Sequence, residues 1–152
     1  MPELLAVDLG IRSGLALYGS DGRLRWYRSH NFGSAARLRR AVRRILDDLP
    51  DVTDVVLEGG GTLADIWRGE AQRRVITVHQ IAAETWRRQL LYPRQQRSGS
   101  DAKQHAKRLA RRVIEWSQAP LPTALRDDTA EAILVGLWGT LKLGWLRHPP
   151  QH

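Results

Sequence analysis

A carboxylate inside an apolar run constrains the fold of this chain more than any other feature. Residues 4–10 read Leu-Leu-Ala-Val-Asp-Leu-Gly, a pattern typical of a buried strand, and it carries one acid, Asp8. Burying an unpaired carboxylate costs several kcal/mol or forces the group to take up a proton. Asp8 therefore requires a partner from elsewhere in the chain.

Two later stretches offer acids that could meet Asp8. Val55 to Glu58 is a second β-rich run, and it ends in an acid that three glycines follow. Asp128 and Glu131 open the last helical pattern, where a spacing of three residues places both on one face of a helix. Because an open sheet usually places ligands at the carboxyl ends of its strands, we predict that the four acids converge on divalent metal.

A structural alternative exists for the acids of the last helix. An Asp N-cap with Glu three residues later is a variant of the capping box, which satisfies backbone N–H groups without any catalysis. Asp128 and Glu131 have this spacing. Taken as a pair, they are explained by either interpretation.

The composition limits which side chains could bind a metal and indicates which kind of molecule the protein binds. The 152 residues suffice for one domain with a real core, and the chain has no cysteine, so metal would bind oxygen or imidazole ligands. Such ligands suit Mg²⁺ or Mn²⁺. Lys and Arg number 24 against 16 Asp and Glu, and the net charge of +8 favours a polyanionic partner such as nucleic acid. Solubility alone is the alternative explanation for this charge.

The N-terminus gives no targeting signal. Met1-Pro2-Glu3 lacks the basic region of a signal peptide, and Asp8 interrupts the apolar run that follows. No apolar run approaches the roughly 18 residues that indicate a membrane span. We therefore expect a soluble, cytoplasmic protein with no membrane partner.

The apolar pattern predicts an α/β fold. Three strands open the chain as an antiparallel meander, and helices then alternate with two further strands. We predict a five-stranded mixed sheet flanked by helices, with its first three strands antiparallel. The predicted strands lie at 4–9, 15–18, 24–32, 52–58 and 74–79, and four predicted helices lie at 35–49, 62–72, 81–91 and 128–143. A further helix is predicted between Ser100, its N-cap, and Pro120, which ends it, after a basic mobile loop at 92–99.

Four clustered carboxylates would repel one another, and some would protonate unless cations neutralised them. Two Mg²⁺ ions about 4 Å apart would do so and would provide a mechanism for phosphodiester hydrolysis. A glycosidase also uses two carboxylates, but that chemistry needs no metal cluster and leaves the basic charge unexplained.

The acidic motifs resemble those of the RuvC-type Holliday junction resolvases, which belong to the ribonuclease H-like (retroviral integrase) superfamily. The likeness covers about residues 3–143 and implies one nuclease domain of that fold over residues 1–146, with a short tail at 147–152. The matching motifs are Ala6-Val7-Asp8-Leu9-Gly10 with Gly14, Val56-Leu57-Glu58, and Asp128-Thr129-Ala130-Glu131-Ala132.

The resemblance implies the roles of the four acids. Asp8, Glu58, Asp128 and Glu131 would be the catalytic metal ligands, holding two Mg²⁺ ions per site with Mn²⁺ as a substitute. Many relatives have Asp where this chain has Glu131, whose longer arm still delivers a carboxylate. Asp127 is an alternative to Asp128 in this register.

The resemblance also implies a homodimer that places two active sites on branched DNA, a four-way junction. Basic DNA contacts would come from Lys103, Lys107, Arg94 and Arg97. Either Trp67 or Leu63 is the candidate for an aromatic or apolar wedge in the loop after Glu58, although a core position is the competing prediction for Trp67. Four residues of the last helix could add an apolar dimer contact: Gly136, Trp138, Gly139 and Leu141.

Three other interpretations compete with a resolvase. The actin-like ATPase fold also has a phosphate loop with Asp-Leu-Gly after a strand, but it needs a second lobe for which we find no motif. A non-catalytic nucleic-acid-binding domain would not require all four acids. A nuclease of the same superfamily acting on RNA–DNA hybrids or ribosomal RNA precursors would require them.

Overall fold

Five strands form one mixed sheet that is flanked by helices. The structure is a computed structural model, and it describes residues 1–150. Residues 151 and 152, the end of the predicted tail, lie outside the described residues. The strands are β1 (Glu3–Asp8), β2 (Arg12–Gly19), β3 (Leu24–Asn31), β4 (Val52–Glu58) and β5 (Thr77–Ile81). The α-helices are α1 (Ala35–Asp48), α2 (Gly61–Arg73), α3 (Ala83–Leu90), α4 (Gly99–Ser117) and α5 (Asp127–Lys142).

The strand order across the sheet is β3-β2-β1-β4-β5. The first three strands pair antiparallel, as hairpins of a meander do. β4 then pairs parallel with β1, and β5 pairs parallel with β4, after crossovers that contain α1 and α2. The prediction of a five-stranded mixed α/β sheet with three antiparallel strands at its start is confirmed.

Alternation along β1 divides the core between the two faces of the sheet. Leu4 and Ala6 belong to the cluster that also contains buried residues of α3, α4 and α5. Leu5 and Val7 belong to the cluster beneath α1 and α2. Both faces are therefore covered, which explains why the run at 4–7 is apolar at every position.

The helix α5 lies directly against the sheet because two of its residues have no side chain. A Cβ atom on Gly136 would lie 2.2 Å from the ring of Tyr18, and one on Gly139 would lie 2.8 Å from Leu4. The hydroxyl of Tyr18 also donates to the carbonyl of Ile133. The prediction that these glycines contribute to a dimer contact is wrong, because they face the sheet, and Trp138 between them is only 8% exposed.

Several element boundaries differ from the predicted ones. β5 begins at Thr77 rather than residue 74, because the preceding residues close α2: the N–H of Ile76 donates to the carbonyl of Ala71, and Val75 takes the left-handed conformation with a φ of 57°. α4 begins two residues early, with Ser98 as its N-cap. The predicted mobile loop at 92–99 contains a short 3-10 helix, Pro93–Gln96.

The core position predicted as one alternative for Trp67 is the correct one. Its side chain is fully buried in the cluster beneath α1 and α2, so the wedge assignment is wrong for this residue. Leu63 is partly buried against the same cluster. Within residues 1–150, no helix has the length and apolar character needed to cross a membrane.

Candidate metal centre

Three carboxylates meet at one end of the sheet. Asp8 ends β1, Glu58 ends β4, and the two residues are direct partners in the parallel register. Glu131 lies in the second turn of α5. One oxygen from each of the three side chains lies within 4.8 Å of the other two. The structure therefore brings together three of the four predicted acids.

The two strand acids lie in one row of residues that runs across the sheet, and the first turn of α5 packs on the same row. Its members are consecutive partners in the register, from β3 to β5: Ser29, Gly14, Asp8, Glu58 and Ile81. Because residues two apart share a face of a sheet, Asp8 and Glu58 lie above Ala6 and Val56, on the face that α5 covers. Gly14 leaves the space that the first turn of α5 fills, since a Cβ atom there would lie 1.9 Å from the carbonyl oxygen of Asp128.

The fourth predicted acid, Asp128, is held at the edge of this site. Its Oδ2 accepts a hydrogen bond of 2.8 Å from the hydroxyl of Ser29, and its Oδ1 accepts one of 3.1 Å from the hydroxyl of Thr129. Among the acids of the described chain, the group within 4.8 Å contains neither Asp128 nor Asp127. Asp127 is instead paired with Lys107 at 2.9 Å. That either acid binds metal stays a prediction.

The capping-box alternative for the last helix is wrong. α5 begins at Asp127, and its N-cap is Arg126 rather than Asp128. Glu131 therefore lies beyond the N3 position from which a capping side chain reaches back. Its carboxylate points to Asp8 and Glu58 instead of the helix terminus.

Burial and mutual repulsion act on the acids at the centre. Burial, followed by the negative charges of Glu58 and Glu131, raises the pKa of Asp8 to about 9. The pKa of Glu58 is also raised, first by burial and then by Glu131, although a hydrogen bond from Trp86 opposes this shift. Without a cation, Asp8 therefore retains a proton at neutral pH.

Two consecutive residues of α3 contact two different acids. The indole N–H of Trp86 donates to Oε1 of Glu58 at 3.1 Å, and Nη2 of Arg87 lies 3.4 Å from Oε1 of Glu131. Sequence reasoning placed Trp86 on the apolar side of this helix but missed both polar contacts. They join residues 28 and 44 positions apart, so no local spacing reveals them.

The donors at this centre fit a hard divalent cation. Oε2 of Glu58 is buried and has no hydrogen-bond partner within residues 1–150, which costs free energy unless another group meets it. Carboxylate oxygens are the ligands that Mg²⁺ and Mn²⁺ prefer, and a cation among Asp8, Glu58 and Glu131 would offset their repulsion. These three residues could therefore hold metal.

The basic residues predicted to contact DNA lie in two places. Lys103 and Lys107 line an open hollow together with Asp127, beside the first turn of α5. Arg94 and Arg97 are exposed before α4, and the guanidinium of Arg94 lies 5.5 Å from the ring centroid of Tyr92. The structure places these cations but does not test their role, which stays a prediction.

Solved structures with a similar arrangement of strands and helices include two of RuvC. Thermus thermophilus RuvC in complex with a Holliday junction substrate has a TM-score of 0.69 and 14% identity, over 95% of this chain and 96% of that one. A further Thermus thermophilus RuvC structure has a TM-score of 0.68 at 14% identity, over 93% and 96%. This chain has the ribonuclease H-like fold of RuvC. The resemblance predicted from the acidic motifs is thereby confirmed for the fold.

A more distant structure agrees with this fold. The yeast mitochondrial Holliday junction resolvase Ydc2 has a TM-score of 0.55 and 12% identity, over 93% of this chain and 81% of that one. Comparison with protein-family models and with curated protein sequences gives no match.

Proposed function

We propose that this chain is a divalent-metal-dependent endonuclease that resolves four-way (Holliday) DNA junctions by phosphodiester hydrolysis. The observation that carries the proposal is the convergence of Asp8, Glu58 and Glu131 within 4.8 Å at the end of a RuvC-like sheet. The net charge of +8 and the junction bound by the similar RuvC favour branched DNA as the substrate.

The acids of the centre would hold the metal, proposed to be two Mg²⁺ ions with Mn²⁺ as a substitute. Asp8, Glu58 and Glu131 would bind directly, and Glu58 would use Oε2, for which the described residues offer no hydrogen-bond partner. Divalent metal in such a site activates water as a nucleophile and neutralises the charge that develops on the scissile phosphate. Asp128, which Ser29 orients, is proposed as the remaining ligand.

Cations of the chain would bind and orient the phosphate backbone. Arg87 already lies against Glu131, so its guanidinium is placed to meet a phosphate that enters the centre. Lys103 and Lys107 would contact the strand beside the first turn of α5, and Arg94 and Arg97 would contact DNA farther from the acids. A homodimer would present two such centres to one junction, so that both strands are cut.

A cleavage assay on four DNA and hybrid substrates tests this function. We expect Mg²⁺-dependent cutting of a synthetic four-way junction, with little cutting of duplex DNA, single-stranded DNA or an RNA–DNA hybrid of matched sequence. Equal or greater cutting of the hybrid would overturn the junction assignment in favour of a hybrid nuclease. Binding of the junction without any cutting would favour a non-catalytic DNA-binding domain.

The variant Asp8→Asn tests whether the acids carry the chemistry. We expect it to abolish cleavage and to leave junction binding within a few-fold of the original, because binding depends on Lys and Arg. The exposed acid Asp65 of α2 gives a matched control, Asp65→Asn, which removes the same charge outside the group of three acids. Cleavage by Asp8→Asn at the rate of this control would contradict the proposed mechanism.

A further inference from the structure

We propose that Trp86 is a positioning residue of the metal centre: its indole N–H fixes one carboxylate oxygen of Glu58 so that the other oxygen is presented to the ion. This inference rests on the proposed function, because it concerns how one of the proposed ligands is oriented. It assigns a role to a side chain of α3, a helix that contributes none of the three acids of the centre.

The contact is made entirely inside the protein. Trp86 is fully buried, Glu58 is only 6% exposed, and the distance from Nε1 to Oε1 is 3.1 Å. An indole has one donor and no acceptor, so this hydrogen bond uses the whole polar capacity of the Trp86 side chain. Because both partners are buried, little water can compete for this hydrogen bond, and the bond therefore fixes Oε1 of Glu58.

The second oxygen of Glu58 is then the one left for a cation. Oε2 is buried and has no hydrogen-bond partner in the described part of the chain. A glutamate side chain has one more rotatable bond than the aspartate at the end of β1, so it needs more restraint to hold a single orientation. A hydrogen bond to one oxygen supplies that restraint, in the way that partners of metal ligands commonly do.

The chain contains a matched control for the loss of an indole. Trp67 is also fully buried, on α2 at the opposite face of the sheet. Its Nε1 has no hydrogen-bond partner within residues 1–150. Trp86→Phe and Trp67→Phe therefore both replace a buried indole by a smaller ring, but only the first removes a hydrogen bond to an acid of the centre.

The two variants are compared by metal binding and by stability. We expect Trp86→Phe to weaken Mn²⁺ binding, measured by titration calorimetry in the absence of DNA, by about 10-fold. Trp67→Phe should stay within about twofold of the original affinity, although both variants should lose metal-free stability because both leave a cavity. The rise of Tm on adding Mg²⁺ should be smaller for Trp86→Phe than for Trp67→Phe.

A measurement on the unsubstituted protein covers the case in which a variant fails to fold. In ¹H–¹⁵N spectra, the indole N–H signal of Trp86 should move when Mg²⁺ is added, while that of Trp67 should not. A Trp86 signal that stays in place, or equal Mn²⁺ affinities for the two variants, would overturn the role of Trp86 while leaving the proposed nuclease standing. If the unsubstituted protein bound no Mn²⁺ at all, the proposed function itself would be overturned, and the role of Trp86 with it.

Discussion

A Cβ atom on Gly14 would lie 1.9 Å from the backbone carbonyl oxygen of Asp128. Gly14 is the partner of Asp8 in the antiparallel register of β1 and β2, so the space that it leaves adjoins the acidic centre. The first turn of α5 enters that space and brings Glu131 toward β1. The absence of one side chain on β2 therefore sets the position of an acid that lies more than a hundred residues later.

Gly14→Ala should displace the first turn of α5. We expect a loss of about 1–3 kcal/mol in the free energy of unfolding, because backbone must move to relieve the overlap. Mn²⁺ affinity should fall as well, since Glu131 would leave its partners. Denaturant unfolding and titration calorimetry measure the two effects.

The control for this substitution is Gly69→Ala in α2. A Cβ atom on Gly69 would meet no atom of the described residues within 4 Å, and alanine is the better helix former by about 1 kcal/mol. We expect this variant to be at least as stable as the original. Equal stabilities for Gly14→Ala and Gly69→Ala would contradict the steric argument.

Asp8→Asn should stabilise the metal-free protein at neutral and alkaline pH. The pKa of Asp8 is raised in the folded state to about 9, from an ordinary value of 3.8, by burial and by its acidic neighbours. A raised pKa contributes stability that is fully present below about pH 4 and is lost as pH rises to about 9. Asparagine keeps a neutral side chain throughout, so the variant should gain stability relative to the original progressively as pH rises from about 4 to about 9.

Thermal unfolding in EDTA between pH 4 and pH 9 checks this expectation. The advantage of Asp8→Asn should grow with pH, and Mg²⁺ should reduce it by stabilising only the original protein. Asp65→Asn controls for the loss of one negative charge at an exposed position. A constant difference between Asp8→Asn and the original across this range would show that Asp8 does not retain its proton on folding.

Glu70→Gln should destabilise the protein without changing cleavage. Glu70 is buried on α2 and accepts a hydrogen bond of 2.9 Å from Arg74, which lowers the pKa of Glu70. A lowered pKa contributes stability that is present above about pH 4.5 and is lost as pH falls. We expect a cost of about 1–2 kcal/mol at pH 7 that shrinks toward pH 3, measured by thermal unfolding. A cost that stayed the same at pH 3 would assign the effect to packing rather than charge.

Junction binding should depend steeply on salt, and two lysines should account for part of that dependence. In an Asp8→Asn background, which prevents cutting, Lys103→Ala with Lys107→Ala should reduce the slope of log affinity against log salt by about 2. Fluorescence anisotropy in increasing KCl measures the slope. Arg40→Ala with Arg44→Ala on α1, which covers the opposite face of the sheet, should leave it unchanged. A loss of slope confined to the α1 variant would place the DNA on the other face.

The sequence was sufficient to predict the three converging acids, and two of them most directly, because each of these two ends an apolar strand. Asp8 and Glu58 follow runs that only a buried strand explains, and parallel neighbours end at the same edge of a sheet. The helix was harder to interpret. Three residues along a helix rise by about 4.5 Å, so Asp128 and Glu131 share a face of α5 but lie at different heights along its axis. Ser29 therefore holds Asp128 by a hydrogen bond, while Glu131 reaches Asp8 and Glu58.

Contacts between distant elements could not be predicted from local patterns. Trp86 and Arg87 meet the acids only because α3 packs beside α5, and their spacing in the chain is that of an ordinary amphipathic helix. The prediction that β5 begins at residue 74 was wrong for another reason. The residues from Arg74 to Ile76 alternate like a strand, but their backbone closes α2, with Val75 in a conformation that β-branched residues rarely adopt.

Along each strand, the row that contains Asp8 and Glu58 is only one residue wide. The next row on the same face runs from Tyr27 on β3 to His79 on β5, and its three central members, Ala16, Ala6 and Val56, are fully buried. The acids and their structural support thus occupy separate layers, and the three central residues of the supporting layer have no ionisable group. A descendant of this protein that lost its acids would keep an intact platform, and under the proposed function a handful of substitutions would turn a nuclease into a protein that only binds DNA.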